Sequence, residues 1–151
     1  MSVTLDASVL VYASNEAEPV HKDARDLLSR LAVGPELVYL FWPVVLGYLR
    51  IVTHPAILPR PLSPREATAN VESLLDRPHV RTAGEGEGFW KLFRATGQDR
   101  ARGTEVPDTH LATLMRQHGV RVIYTRDRGF RRFPGIDPVD PFESARHSRR
   151  R

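Results

Sequence analysis

Apolar residues in this chain recur in two patterns. Short blocks, such as Val3 and Leu5 in SVTL and LVYLF at 37–41, are continuous or nearly so. Between them lie longer stretches with apolar positions every three or four residues. The first pattern predicts buried strands and the second predicts helices packed over them. Ser2–Leu5 is the first expected strand, followed at once by Asp6 and a short helix over Ala7–Ala13. Asn15–Pro19 is a polar turn. Ala24, Leu27, Leu28 and Leu31 mark a helix over His21–Val33, ended by Gly34-Pro35. Leu37–Phe41 is the second strand. Pro43 suits the first turn of a helix over Val44–Thr53, which His54-Pro55 stops. After the proline-rich 57–64, Ser63, Pro64 and Glu66 form a capping-box pattern for a helix to Leu75. A short strand is expected at His79–Thr82 and a helix at Glu85–Ala95. The next helix has Asp108 where it begins and Leu111, Ala112, Leu114, Met115 and His118 at helical spacing. It ends at Gly119, a natural residue for the position after a helix. Strands over Val120–Tyr124 and Ile136–Val139 complete the series. This alternation predicts an α/β fold with a mainly parallel sheet.

At 151 residues the chain is one domain with one core. The absence of cysteine excludes disulfides, thiolate metal sites and a cysteine nucleophile, and suits a reducing compartment. MSVTLDAS has no basic leader pattern, and no apolar run is long enough to span a membrane, so a cytoplasmic protein is the expectation. The formal net charge is +4, and only Lys22 and Lys91 are lysines. Arg126, Arg128, Arg131 and Arg132 cluster around Asp127; Arg146, Arg149, Arg150 and Arg151 form a basic, flexible tail over 143–151. Arginine forks bind phosphate in bidentate fashion, so the first cluster suits a phosphodiester substrate, or is simply a solvated loop.

Asp6 and Asp127 each follow the carboxyl end of an expected strand. In a parallel sheet they share the edge where such folds place their sites. Asp108 reaches that edge if its helix starts there. Three converging carboxylates repel one another unless a cation sits among them, and hard oxygen donors favour Mg²⁺ or Mn²⁺. Each acid also has a plainer reading. Asp6 can cap a helix, Asp108 can complement a helix dipole, and Asp127 can pair with Arg126 or Arg128. The histidines show no metal-ligand spacing, and GxSxG, P-loop and GxGxxG patterns are absent. Phe89, Trp90, Leu92 and Phe93 read as core or interface rather than a base-stacking platform.

LDASVLVYA, LGYLRIVTHP and VPDTHLATLMRQHGVRVIYTRDRGFRRFPG resemble the PIN-domain ribonucleases, with the nearest likeness to their VapC toxin branch. The resemblance runs from Val3 to about Phe142 and implies a PIN domain over 1–142. Its fold would be a three-layer α/β/α sandwich with a central sheet of four or five strands. It implies a Mg²⁺-dependent endoribonuclease, with Mn²⁺ as a substitute, held inactive by a VapB-type antitoxin and forming a homodimer. Asp6, Asp108 and Asp127 match the family's metal-binding catalytic acids. Thr125 and Ser8 match supporting positions, and Arg126 and Arg128 are the RNA-phosphate candidates. Two usual acid positions hold Gly47 and Gly129 instead. Glu105 is the nearest spare acid, and Arg50 is a candidate for structural pairing or phosphate contact. The glycines motivate a second expectation, a PIN domain that binds RNA or a partner without cutting. A phospho-acceptor domain fits poorly, because it normally needs a lysine after a late strand and both lysines come earlier.

Overall fold

The computed structural model describes residues 1–143. The expected basic tail, from residue 144 on and including Arg146, Arg149, Arg150 and Arg151, lies outside the described residues. Five strands form one sheet: β1 Ser2–Leu5, β2 Leu37–Phe41, β3 Val80–Ala83, β4 Val122–Tyr124 and β5 Asp137–Val139. All neighbouring pairs are parallel, in the order β3-β2-β1-β4-β5. Six α-helices connect them: α1 Ala7–Ser14, α2 His21–Val33, α3 Trp42–Val52, α4 Pro64–Leu75, α5 Phe89–Gly97 and α6 Glu105–Gln117. Helix α1 packs on α2 and α3, α3 packs on α4, and α5 packs on α6. Right-handed crossovers in two directions from β1 place these groups on opposite faces, which gives the three layers.

The inner strands β1, β2 and β4 are largely apolar on both faces because both are covered. On β2, Val38 and Leu40 lie with Leu28, Leu31 and Leu74 of α2 and α4. Tyr39 and Phe41 point the other way, with ring centroids 6.0 and 5.6 Å from His118 at the end of α6. Thr4 is the one hydroxyl in β1's buried run, and it donates to the Tyr39 carbonyl at 2.7 Å. Unpaired, a hydroxyl there would cost about 1–3 kcal/mol. Ser63 and Glu66 form the expected capping box at the start of α4: Glu66 N donates to Ser63 Oγ at 3.1 Å, and Ser63 N to Glu66 Oε2 at 2.9 Å.

Among the boundaries that differ from the sequence expectation, three have a clear local reason. Helix α5 starts at Phe89 rather than Glu85, because Gly84, Gly86 and Gly88 precede it and Gly88 adopts φ +76°. Helix α6 starts at Glu105, three residues before Asp108. Pro107 is tolerated inside its first turn, where no N–H is needed. Strand β4 begins at Val122 because Val120 N still bonds back to Met115 O at 2.8 Å, closing the end of α6.

Candidate active site

The strand order reverses direction at β1, whose two neighbours are β2 and β4. A crevice therefore opens at the carboxyl ends of β1 and β4, the switch point of an open parallel sheet. Asp6 sits there at the N-cap position of α1, with its backbone N–H on Tyr124 O at 3.0 Å. Its carboxylate does not cap the helix. Asp6 Oδ2 instead accepts a hydrogen bond from Thr125 Oγ1 at 2.9 Å. Thr125 is 2% exposed, and its backbone N–H is paired with Val139 O at 3.0 Å. The same hydroxyl accepts from Asp127 N at 2.9 Å. One buried hydroxyl thus joins the segments after β1 and β4.

Asp127 turns its carboxylate onto a single 3-10 turn, Arg128–Arg132, accepting from Gly129 N at 2.8 Å. It makes no ion pair with Arg126 or Arg128 among the described residues. The turn brings Arg132 back toward the crevice. Arg132 Nη1 donates to Gly129 O at 3.0 Å, and Nη2 donates to Asp108 Oδ2 at 3.1 Å. Its guanidinium also lies 4.6 Å from the Phe133 ring centroid. Asp108 is thereby paired with a member of the arginine cluster around Asp127. The three-residue step from Gly129 to Arg132 is the spacing of a 3-10 turn, but RGFRR carried no apolar period that would announce one.

Burial raises the carboxyl pKa of Asp108 above the ordinary aspartate range. The Arg132 hydrogen bond and charge oppose that rise. The negative charges of Asp127 and, less strongly, Asp6 add to it. The three acids therefore share one electrostatic neighbourhood. They do not share one cavity. Asp6 and Asp108 line a groove of about 390 Å³ together with Pro43, Leu46, Gly47 and Arg50. Asp127 lines an adjoining pocket of about 250 Å³ with Thr125, Arg126, Arg128 and Arg131. Among the described residues, no trio of acid or histidine side chains is assembled to hold a metal ion. Asp6 and Asp108 share the groove, while Asp127 acts on Asp108 through its charge from beside it. Asp127 is drawn off by the Gly129 amide, and Asp108 is partly occupied by Arg132.

Two carboxylates still fit a hard divalent cation. Mg²⁺ keeps several waters and takes one or two protein carboxylates plus substrate phosphates. The repulsion acting on Asp108 is of the kind a cation relieves. Gly47 faces this groove, and a Cβ there would meet only the Ala7 Cβ, at 3.7 Å. Gly129 is different: a Cβ would lie 2.7 Å from Arg132 Nη1 and 2.9 Å from Asp127 Oδ1. Arg50 lines the groove and makes no ion pair among the described residues.

The remaining candidates divide. Ser8 is half-buried in the first turn of α1 and lines neither cavity. Glu105 stands exposed at the first position of α6 and does not line the groove. Arg126 is largely committed: its guanidinium lies 5.8 and 6.0 Å from the Tyr12 and Phe142 rings, with Glu18 at 3.9 Å. Arg128 is exposed beside Asp127. His110 turns away from Asp108 and bonds Glu85 at 2.6 Å. Trp90 is 68% exposed and stacks on Phe93, so it is not core.

A switch-point crevice with paired acids, reached by arginines, is what the family comparison then explains. The pattern for the PIN domain matches residues 3–136. The chain belongs to the PIN-domain family. Within that family it is similar to the VapC proteins. It is 51% identical over 143 residues to Ribonuclease VapC48 of Mycobacterium tuberculosis, covering 94% of this chain and 99% of that one. It is 34% identical to Ribonuclease VapC43 of the same organism, covering 95% and 97%. Among solved structures, the fold resembles M. tuberculosis VapC20, described as a sarcin-ricin loop cleaving toxin, with TM-score 0.64 at 19% identity over 91% of this chain and all of that one. It also resembles VapBC2 of Rickettsia felis bound to promoter DNA, with TM-score 0.65 at 14% identity over 92% and 98%. This PIN domain has no helix, among its described residues, long and apolar enough to cross a membrane.

Proposed function

We propose that this PIN domain is a divalent-metal-dependent endoribonuclease, the toxin of a pair whose other member is a VapB-type antitoxin. The observation that carries the reading is the joint placement of Asp6 and Asp108 in one groove at the sheet's switch point. The near-full-length identity to named VapC ribonucleases supports it. Asp6 and Asp108 would hold Mg²⁺ or Mn²⁺, and Asp127 would act through its charge from the adjoining pocket. A cation so held supplies positive charge for the phosphoryl transition state and acidifies water. Thr125 fixes the Asp6 carboxylate by hydrogen bonding and anchors the Asp127 backbone. Arg50 and Arg128 bind RNA phosphates on either side of the acids, with Arg126 forming a wall of the second pocket. Such contacts give salt-sensitive binding without base readout.

Cleavage of end-labelled single-stranded RNA, with Mg²⁺ or Mn²⁺ titrated, tests this. Wild type should cut only with metal, and Asp6→Asn and Asp108→Asn should each lose the activity. Growth arrest on expression should vanish with them. Retained RNA binding with no cleavage under any metal condition would instead favour a binding module, the reading that Gly47 and Gly129 motivate. Light scattering of the purified protein addresses the proposed homodimer.

A further inference from the structure

Arg132 is the side chain that the reading above leaves without a task. It holds three partners at once: the Gly129 carbonyl at 3.0 Å, the Asp108 carboxylate at 3.1 Å, and the face of Phe133 at 4.6 Å. Two of these are fixed points. Gly129 lies in the 3-10 turn, and Phe133, 4% exposed, is part of the core. Asp108 is the third, and it would also be a metal ligand. The Arg132 side chain is 38% exposed and that of Asp108 27% exposed, so the contact is open to water. An arginine fork anchored by its stem and one N–H can release its other N–H without losing its place.

We propose that Arg132 is a positioning residue with two stations. Before metal arrives it is the internal counter-ion of Asp108. When Asp108 takes a divalent cation, the planar Arg132 guanidinium tilts about its Gly129 contact, gives up the Nη2 bond to Asp108, and presents that nitrogen to a phosphate of the bound RNA. The first station prevents Asp108 from standing uncompensated near Asp6 and Asp127, at the cost of competing with the metal. The second turns the released charge into substrate affinity beside the scissile bond. The absence of a Cβ at Gly129 leaves room for the fork to lie over Asp108, since a Cβ there would sit 2.7 Å from Arg132 Nη1. This proposal rests on the reading of Asp108 as a metal ligand.

Two measurements on the full chain test it, with Arg132→Gln, Arg132→Lys and Asp108→Asn beside wild type. The first is Mn²⁺ binding by calorimetry without RNA. A partly exposed pair contributes modestly, so Arg132→Gln should bind Mn²⁺ roughly threefold to fivefold more tightly. A merely structural role for Arg132 would move this value the other way, because a disordered turn would loosen the site. The second is KM and kcat for a short RNA at saturating Mn²⁺. Arg132→Gln should raise KM several-fold with kcat little changed, and Arg132→Lys should recover part of that KM. Unchanged or weaker Mn²⁺ binding by Arg132→Gln overturns the first station; an unchanged KM overturns the second. If Asp108→Asn binds Mn²⁺ as wild type does, the fault lies in the metal reading. If Asp108→Asn loses Mn²⁺ while Arg132→Gln matches wild type, only the proposal for Arg132 fails.

Discussion

Thr125→Val removes one hydroxyl while keeping the side-chain volume. In the folded protein that hydroxyl donates to Asp6 Oδ2 and accepts from Asp127 N, both at 2.9 Å. A hydrogen bond to a charged group contributes about 1.5–3 kcal/mol. The Asp127 amide adds a loss of about 1 kcal/mol, softened because Asp127 is exposed and water can replace the acceptor. The added methyl, buried at a 2% exposed site, returns up to about 1 kcal/mol. The net destabilisation is therefore about 1–3 kcal/mol. For a domain of this size that is roughly 3–10 °C in Tm. Activity should fall further than stability, because Asp6 loses the donor that orients it. Changes to groups that orient metal ligands typically cost about 10–100-fold. Thr125→Ser is the decisive control. It keeps the hydroxyl and loses a buried methyl, so its stability should drop by about 1 kcal/mol while cleavage stays within a few-fold of wild type. Denaturant unfolding and a cleavage time course, run on all three proteins, give both quantities. Wild-type cleavage by Thr125→Val would refute the reasoning. So would equal losses of activity in the serine and valine variants, which would point to packing alone.

Three further outcomes follow from the same geometry. Gly47→Glu should fit, since its Cβ meets only Ala7, and should tighten Mn²⁺ binding in calorimetry by adding a carboxylate to the groove; a clash would appear instead as a lowered Tm. Asp108 has a folded pKa above its unfolded value, so it favours the fold at low pH, and that contribution is lost as pH rises from about 3.9 through its raised folded value. Without metal, the Tm of Asp108→Asn minus that of wild type should therefore grow between acid and neutral pH, and a shrinking difference would contradict the assignment. Ser63→Ala breaks the capping box on α4 and should cost about 1 kcal/mol in denaturant unfolding without altering cleavage, since neither Ser63 nor Glu66 lines either cavity.

The regular elements were legible because their signals are local. His21–Val33 and Leu37–Phe41 match the structure at both ends, since helical spacing, Gly34 and a continuous apolar run leave little choice. The capping box at Ser63 could be read from three residues. The starts of α5 and α6 were less legible, because glycines and a first-turn proline set them rather than apolar period. A central place for Ser2–Leu5 was legible from its apolar run, but the full strand order was not: it is fixed by long-range pairing. In the site, the positions of Asp6 and Thr125 followed from where strands end. The diversion of Asp127 to Gly129 and of Arg132 to Asp108 did not. Both depend on a 3-10 turn within a charged segment, where hydrogen bonding rather than hydrophobic pattern decides the path of the chain.

The claim that Asp6 and Asp108 together hold a catalytic cation is tested most directly by anomalous diffraction from crystals containing Mn²⁺. The expected result is a peak in the groove beside Gly47, with one carboxylate oxygen from Asp6 and one from Asp108 at roughly 2.0–2.2 Å. A crystal saturated with Mn²⁺ that shows no peak there, or a peak held by other side chains with Asp108 still paired to Arg132, would contradict it.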